Sequence, residues 1–305
     1  MSYRLVQGEF ALTYHAARRV GSRPDGDSVW FRPDNPQRLK GVGGRDADFN
    51  GGGLAQLRFE GIDALELHYP PSTGDHQHMQ CVAARDFLLR NLGFTDVQYA
   101  RSDGIQSYVQ SSTPAAVRGY ILTRGIDPYG RPVAFVFSGV PPEADGDDVF
   151  LTVARMNQSL NAQLAGAGQV YPAYYSALSN GQGGLPVDLR MRLTALVTQA
   201  RADDFQVWAV DSSRRNRRVQ NQADLQALAI WPKLYRRLIT YLKGPPAHNG
   251  LRQFDAWLRA DSDRDDQIWI VPTAELGNLH DVIILTTGDR IRMRYWPEDL
   301  IVVPR

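Results

Sequence analysis

The run Leu54-Ala55-Gln56-Leu57-Arg58-Phe59-Glu60-Gly61-Ile62 alternates apolar and polar residues, and Asp63-Ala64-Leu65-Glu66 follows it with an acidic residue at each end. Alternation at every second residue puts one face of a strand in a core and the other toward solvent. By that pattern Arg58 faces outward between two core-facing neighbours. Asp63 and Glu66 stand three residues apart where the strand ends. We therefore predict a strand whose far end presents two carboxylates.

Short strands surround this one in the sequence. A strand-like pattern covers residues 10–20 and 28–31, with a turn at Arg23-Pro24-Asp25-Gly26-Asp27 between them, which predicts a hairpin. Strands are also predicted at 97–100, at 105–110, around Tyr120 and at 132–139. The stretch from Pro33 to Gly53, rich in Pro, Gly and Asn, is predicted to be a mobile insertion loop. Five or more short strands with few helices predict a small barrel with appended helices.

Helical patterns separate these strands and follow them. Asp75 is suited to cap a helix that Gly93 ends, and further helices are predicted over 156–165 and from Pro186 onward. Trp208 is expected to close this unit. The arginine-rich segment 214–218 then has the polar character of a linker.

The 305 residues exceed the usual size of one domain, so we predict a barrel domain over 1–212 and a small α+β domain over 213–305. The second is predicted to contain two helices and then strands at 268–271, 282–286, 291–295 and 300–303. Its apolar residues suffice for a modest core of its own. We expect it to modulate access or recruit an unknown partner without adding catalytic groups.

Composition excludes several classes of protein. The net charge of +1 supplies no global field for a polyanion, so any nucleic-acid affinity must come from a local patch. No apolar run is long enough to span a membrane and none at the start resembles a secretion signal, so we expect no membrane association and a cytoplasmic location. The single cysteine, Cys81, forms neither an intrachain disulfide nor a cysteine-based zinc cage.

The charged residues at the strand ends fit one kind of chemistry. In-line hydrolysis of a phosphodiester needs a hard cation, a group that positions or deprotonates water, and cationic donors for the developing charge. The candidates are Asp27, Asp63, Glu66, Arg58 and Arg131. Taken singly each has an ordinary explanation, because turns require Asp and Gly, and a strand arginine normally faces solvent.

In combination, three runs appear in the order of the staphylococcal nuclease (thermonuclease) family, and the sequence resembles that family over about residues 10–210. The matching runs are Asp25-Gly26-Asp27-Ser28-Val29, the strand 57–66 with its closing acidic pair, and Asp127-Pro128-Tyr129-Gly130-Arg131-Pro132-Val133-Ala134. Leu164-Ala165-Gly166-Ala167-Gly168 and Trp208 resemble two later landmarks. The resemblance implies an OB-type five-stranded barrel with three helices.

The resemblance also implies roles, position by position. Asp27, Asp63 and the backbone carbonyl of Ala64 would bind calcium, a hard cation suited to oxygen ligands. Glu66 would position or deprotonate water, Arg58 and Arg131 would hold the phosphate, and Tyr129 would contact the substrate. The expected activity is calcium-dependent cleavage of DNA or RNA with little sequence specificity, leaving 3′-phosphate ends.

The sequence departs from the family pattern beside the acidic pair. Ala64-Leu65 stands where the family has Thr-Pro, so a hydroxyl and a rigid turn are lost. The loop at 33–53 is longer than usual, and a second insertion follows Glu66. Both insertions are expected to reshape substrate access.

Three alternatives stay open. An OB-type barrel can bind nucleic acid or protein without cleaving, although all five charged positions are kept here. His68, His76 and His78 in the second insertion suggest a zinc site, but no second ligand cluster at zinc spacing accompanies them. The segment 261–266 resembles the start of a calcium loop but lacks the required Gly and Glu, so we expect a solvated acidic turn.

Overall fold

The computed structural model describes residues 2–15, 19–69, 76–100, 108–177, 184–244 and 247–304. The strands are β1 (Ser2–Ala11), β2 (Thr13–His15), β3 (Arg19–Gly21), β4 (Trp30–Pro33), β5 (Ala55–Gln56), β6 (Arg58–Phe59), β7 (Gly61–Asp63), β8 (Asp96–Tyr99), β9 (Val109–Thr113), β10 (Ala116–Ile126), β11 (Pro132–Ser138), β12 (Asp148–Phe150), β13 (Tyr171–Tyr175), β14 (Arg217–Arg218), β15 (Gln267–Ile270), β16 (Glu275–Asn278), β17 (Ile283–Thr286), β18 (Arg290–Met293) and β19 (Leu300–Val303). The α-helices are α1 (Gln80–Leu92), α2 (Val153–Met156), α3 (Leu160–Gly166), α4 (Val187–Ala202), α5 (Val207–Val210), α6 (Gln222–Gln226), α7 (Pro232–Lys243) and α8 (Phe254–Arg259). Short 3-10 helices cover Pro36–Leu39, Leu279–Val282 and Pro297–Asp299.

The main sheet is a nearly closed barrel-like sheet in a mixed α+β protein. Its strand order is β5-β4-β1-β10-β11-β6, with β12 also paired to β1. The two edge strands, β5 and β6, are consecutive pieces of the stretch 55–59, so this stretch brings the two edges together. Leu57 N donates to the carbonyl of Val29, and Phe59 N donates to the carbonyl of Asp27. These bonds continue the pairing across the break between β5 and β6.

The stretch that begins as the edge of the barrel continues into a second sheet. Gly61, with φ of +81°, bends the chain between β6 and β7, a conformation that side chains rarely adopt. β7 then pairs with β13 in a sheet ordered β16-β15-β19-β13-β7. Asn161 of α3 fixes this bend, because its amide donates to the carbonyls of Glu60 and Ala134 while its oxygen accepts from Val136 N.

Strands from both sides of residue 212 share the second sheet. β19, from the end of the chain, pairs in parallel with β13, whose other neighbour is β7. Trp208 packs against Tyr171 on one side and Trp296 on the other, with ring centroids 4.9 and 6.4 Å apart. The division at 212/213 stays a prediction, and the two sides are joined by a sheet and by a common core.

The segment predicted as a linker has regular structure. Arg217 and Arg218 form β14, which pairs with β18, and Ser212 and Ser213 are buried. Ser213 Oγ donates to Asp211 and accepts from Trp231 N. Two of the five residues, Arg217 and Arg218, are therefore paired into a sheet, while the linker role of 214–218 stays a prediction.

Most predicted elements are present within the described residues, and of the strand predicted at 105–110 the residues 105–107 lie outside them while its end falls in β9. Gly93 ends α1 with φ of +118°, as predicted, but α1 begins at Gln80 and Asp75 lies outside the described residues. The loop at 33–53 contains a 3-10 helix and buries Leu39 and Val42, and its mobility stays a prediction. No helix within the described ranges is long and apolar enough to cross a membrane.

Candidate active site

Asp27 is held by the turn between β3 and β4. Its Oδ2 accepts from the backbone N of Ala64 at 3.1 Å, and its carbonyl accepts from Phe59 N. Asp25 in the same turn accepts from Leu67 N at 3.2 Å. The turn is therefore hydrogen-bonded to Phe59 before the acidic pair and to Leu67 after it, which places Asp27 beside the end of β7.

Asp63 and Glu66 lie at the point where β7 ends. Asp63 is buried as the last residue of that strand, and Glu66 is partly buried in the turn that follows. Gln77 holds this turn, because its backbone N donates to Glu66 O at 2.7 Å and its side-chain oxygen accepts from Glu66 N at 3.2 Å. The structure therefore brings Asp27, Asp63, Ala64 and Glu66 together as the sequence predicts.

Arg58 lies on the strand leading to Asp63 and contacts a tyrosine that the sequence analysis missed. Its Nη2 donates to Tyr175 Oη at 2.9 Å, and its guanidinium carbon lies 5.0 Å from the centroid of that ring. The phenol oxygen of Tyr175 is the chief reason that the pKa of Arg58 is raised, against the opposing effect of burial. Burial alone raises the pKa of Tyr175, but the charges of Arg58 and Lys233 outweigh it and the pKa is lowered.

Arg131 and Tyr129 belong to a tight loop before β11. The buried carboxylate of Asp127 accepts from Arg131 Nε at 2.8 Å and from the backbone N atoms of Tyr129 and Arg131. Tyr129 is 75% exposed, and its ring centroid lies 5.4 Å from the guanidinium carbon of Arg131. The charge of Arg131 also acts on Glu66. Arg131 therefore lies near enough to act on Glu66, and its hydrogen bonds to Asp127 fix the orientation of its side chain.

The closest partner of the acidic pair comes from the second half of the chain. Arg236 on α7 forms a bidentate ion pair with Asp63, with Nη1 and Nη2 at 3.1 and 2.6 Å from the two carboxylate oxygens. Nη1 also donates to Glu66. We expected the region beyond 212 to add nothing to this site, and the sequence contains no motif that marks Arg236.

The acidic side chains of the site and Arg236 have shifted pKa values. Burial, followed by the charges of Asp63 and Glu66, raises the pKa of Asp27 to about 7. Burial likewise raises the pKa of Asp25 and of Glu66, although Arg236 opposes the shift at Glu66. Burial lowers the pKa of Arg236, but the charges of Asp63 and Glu66 outweigh it and hold that pKa well above its ordinary value. The pKa values of Asp25, Asp27 and Glu66 are therefore all raised, and Arg236 is the cation that pairs with Asp63 and Glu66.

This arrangement does not fit a bound calcium ion as it stands. The oxygen donors have the right chemistry, but both carboxylate oxygens of Asp63 are engaged by Arg236. Across the part of the chain that the structure describes, no group of three or more His, Cys, Asp or Glu side chains is arranged to hold a metal ion. A guanidinium stands where the resemblance implies a cation.

The other metal candidates have structural explanations. Burial, with help from Arg23 and Arg85, lowers the pKa of His68 to about 4, so this residue is neutral at physiological pH. The segment 261–266 is a turn that exposes Ser262 and Asp263, as expected, but its last two residues are tied into the fold. Asp265 lies 2.5 Å from His280 Nδ1, and Asp266 forms ion pairs with Lys233 and Arg237, both at 2.8 Å.

One small cavity borders the site on the side of Arg58. It has a volume of about 80 Å³, and its lining contains Arg58, Tyr175 and apolar residues such as Ile62 but not Asp27, Asp63 or Glu66. It is far smaller than the roughly 300–1,000 Å³ of pockets that enclose small ligands.

Comparison with known proteins adds no relative. No protein-family model matches the sequence, and no curated protein matches it. The resemblance to the staphylococcal nuclease family consequently rests on the residues quoted above and on their placement.

Proposed function

We propose that this chain is a metal-dependent nuclease that hydrolyses phosphodiester bonds of DNA or RNA on an OB-type barrel. The observation that carries the proposal is the convergence of Asp27, from the turn before β4, with Arg58, Asp63 and Glu66, which lie along the stretch 58–66. Asp27 is bonded to Ala64 N, and Arg236 bridges Asp63 and Glu66. The negative charge of Asp63 also raises the pKa of Arg58. Carboxylates beside arginine donors supply two of the needs of phosphodiester hydrolysis, a group to position or deprotonate water and cationic donors for the developing charge.

Each side chain has a role that follows from its position. Glu66 takes a proton from the attacking water, and its raised pKa makes it a stronger base once it is ionised. Arg58 and Arg131 donate to the non-bridging oxygens of the phosphate, where planar guanidinium groups bond two oxygens at once. Exposed Tyr129 contacts a neighbouring phosphate.

Calcium dependence is part of this proposal, with Asp27, Asp63 and the carbonyl of Ala64 as the groups offered to the ion. It follows from the hard oxygen donors and from the resemblance. The resemblance also implies a nucleic-acid substrate, little sequence specificity and 3′-phosphate products. A cytoplasmic location and a partner for the region 213–305 remain predictions.

The test is a cleavage assay on the full chain with single-stranded DNA, duplex DNA and RNA, in calcium, magnesium or chelator. We expect cleavage in calcium, none in chelator, and phosphate at the 3′ end of the products. Glu66→Gln should abolish cleavage, whereas Glu275→Gln on the exposed strand β16 should not. Full activity in chelator, or none in any metal, would contradict the proposal.

One observation favours a second candidate, a non-catalytic nucleic-acid-binding module. The ion pair of Arg236 with Asp63 and Glu66 neutralises two of the residues that hydrolysis needs. In that case the protein would bind the oligonucleotides in a gel-shift assay without cleaving them in any metal. The same set of substrates therefore separates the two functions.

A further inference from the structure

A cavity of about 530 Å³ opens between α1 and the segments that follow α3 and α4. Its lining includes Phe87 and Arg90 from α1, Gln169 from the segment after α3, and Phe205 from the segment after α4. The volume falls within the roughly 300–1,000 Å³ of pockets that hold small ligands. None of the described residues that line it belongs to the candidate active site, so this cavity is a separate feature of the molecule.

Gln169 places an unpaired polar atom in the wall of this cavity. Its side chain is only 7% exposed, and its Oε1 is buried without a hydrogen-bond partner among the residues that the structure describes. An amide oxygen buried in this way costs free energy, and such groups are rare in folded proteins. The backbone N of Gln169 donates to Leu164 O at 3.0 Å, so α3 fixes the chain at this position. A ligand that donates a hydrogen bond inside the cavity would satisfy this oxygen.

Phe205 presents an aromatic ring to the same cavity. The residue is 49% exposed, and its backbone N donates to Ala200 O at 2.9 Å, which holds it at the end of α4. Its neighbours Asp204 and Gln206 have φ of +52° and +48°, values that residues with side chains rarely adopt. Backbone conformations of this kind cluster at sites that bind ligands. Here they keep a large apolar ring at the surface, where a second flat ring can stack on it.

Helix α1 supplies the opposite wall of the cavity. Phe87 is half-buried and Arg90 is exposed, and their spacing of three residues places them next to each other on the helix surface. Asp86, the acid in the lining, already pairs with Arg85 at 2.8 Å. The cavity therefore combines aromatic surface, a buried acceptor and an exposed cation, which suits a flat ring that carries an amino group and an anionic group.

We propose that this cavity binds an adenine nucleotide, either free or as an unpaired nucleotide of a nucleic-acid strand. The base stacks on Phe205 and donates its amino group to Gln169 Oε1, while Arg90 binds the phosphate. Stacking on aromatic rings is a common way to hold an unpaired base, and a glutamine amide matches the amino group and ring nitrogen of adenine. The proposal goes beyond the proposed function, because this site uses none of the groups assigned to cleavage.

The test is binding of AMP to the full chain, measured by isothermal titration calorimetry in chelator. Ribose 5-phosphate, which lacks the base, and IMP, in which a carbonyl replaces the amino group, are the control ligands. We expect AMP to bind roughly 5- to 150-fold more tightly than either, the range that one stacked base or one matched base edge provides. Single-stranded oligo(dA) is titrated in the same way. Binding of AMP identifies a free nucleotide as a ligand, whereas binding of oligo(dA) alone identifies a strand.

Variants of the cavity connect this binding to its residues. Phe205→Ala removes the stacking ring and should weaken binding roughly 5- to 150-fold. Met191→Ala is the matched control, because it removes a 65% exposed apolar side chain of α4 that does not line the cavity. Gln169→Met replaces the amide by an apolar group of similar size, so the preference for AMP over IMP should disappear. The free Gln169→Met protein should be at least as stable to heat as the wild type, because the buried unpaired oxygen is gone.

The outcomes are independent of cleavage. AMP or oligo(dA) binding that Phe205→Ala weakens supports the site even if the chain cleaves nothing, which would overturn the nuclease alone. No binding of AMP or oligo(dA), equal affinity for AMP and IMP, or wild-type affinity in Phe205→Ala overturns the site even if the chain is a nuclease. A lower melting temperature of Gln169→Met also overturns it, because the amide then serves the fold. Should Phe205→Ala not fold, Arg90→Gln decides, and wild-type affinity in that variant overturns the site.

Discussion

Gly26 offers a test of how tightly the turn of Asp25 and Asp27 is packed against the rest of the site. A Cβ at this position would lie 2.6 Å from Ala84 Cβ on α1 and 2.8 Å from Ala64 Cβ beside the acidic pair. Both neighbours are short, buried and part of ordered backbone. The backbone of Gly26 itself does not require glycine, because its φ is not in the left-handed region. The substitution Gly26→Ala therefore isolates a packing effect.

The size of the effect follows from these distances. Contacts shorter than about 3.4 Å force neighbours apart, so Ala64 and Ala84 must each retreat by about half an ångström or more. Overpacking of this kind typically costs about 1–3 kcal/mol of unfolding free energy. Moving Ala64 also stretches the 3.1 Å bond from its backbone N to Asp27. We expect Gly26→Ala to lose both stability and cleavage.

Urea unfolding followed by tryptophan fluorescence measures the first effect, and the oligonucleotide assay measures the second. Gly166→Ala is the matched control, because a Cβ at that last residue of α3 meets only Leu196 Cδ2 at 3.4 Å. Ala is the better helix former, so this control should be neutral or gain about 0.5–1 kcal/mol. If the urea midpoint and the cleavage rate of Gly26→Ala equal those of the wild type, the turn accommodates the extra methyl group, and the packing argument is wrong.

Further predictions concern charge. Arg58→Ala should lower the cleavage rate by about 10²–10³ with little change in folding, as for other missing donors to a charged transition state; a rate near wild type in that variant would assign Arg58 to the fold alone. Burial lowers the pKa of His68 to about 4 from its ordinary value near 6.5. The unfolded chain therefore takes up a proton at a higher pH than the folded one, so stability is complete above about pH 6.5 and is lost as the pH falls toward about 4. His68→Gln should therefore flatten the loss of thermal stability between about pH 6.5 and 4, and an unchanged slope would count against a buried neutral histidine. Arg218 and Arg290 are exposed and face each other on β14 and β18, like charges whose pairing is normally unfavourable. If they bind the nucleic-acid backbone, replacing either by Ala should reduce the slope of log binding constant against log salt concentration by roughly 0.9 for each phosphate that the side chain neutralises. The control Arg259→Ala, which removes the partner of Asp255, should leave that slope unchanged.

The sequence predicted those parts of the site that depend on local pattern. Alternation along 54–62 indicated the strand, and the turn residues around Gly26 indicated the position of Asp27. Both follow from backbone geometry within a few residues. The resemblance supplied the set Asp27, Asp63, Glu66, Arg58 and Arg131, and the structure places these side chains around the end of β7 or at its border.

Partners far apart in the sequence were not predictable in this way. Tyr175 meets Arg58 only because β13 pairs with β7, and Arg236 meets Asp63 across 173 residues of chain. Alternation says which face a residue takes but not which strand lies next to it. The run 214–218 illustrates the same limit, because its charge suggested a linker while its pairing with β18 depends on a strand about 70 residues away.

The shared sheet changes how the region beyond residue 212 can be studied. Ending the chain at Asp211 would remove β19 from β13, Trp296 from Trp208, and Arg236 from the carboxylates in one step. Removing β19 exposes an edge of the strand that holds Tyr175, and removing Arg236 leaves Asp63 and Glu66 without their cation. An inactive truncated protein would therefore report a damaged site as readily as a missing function. Single substitutions on α7 keep the sheet and the core intact, so the comparison of Arg236→Gln with Arg237→Gln separates the chemical contribution of this region from its structural one.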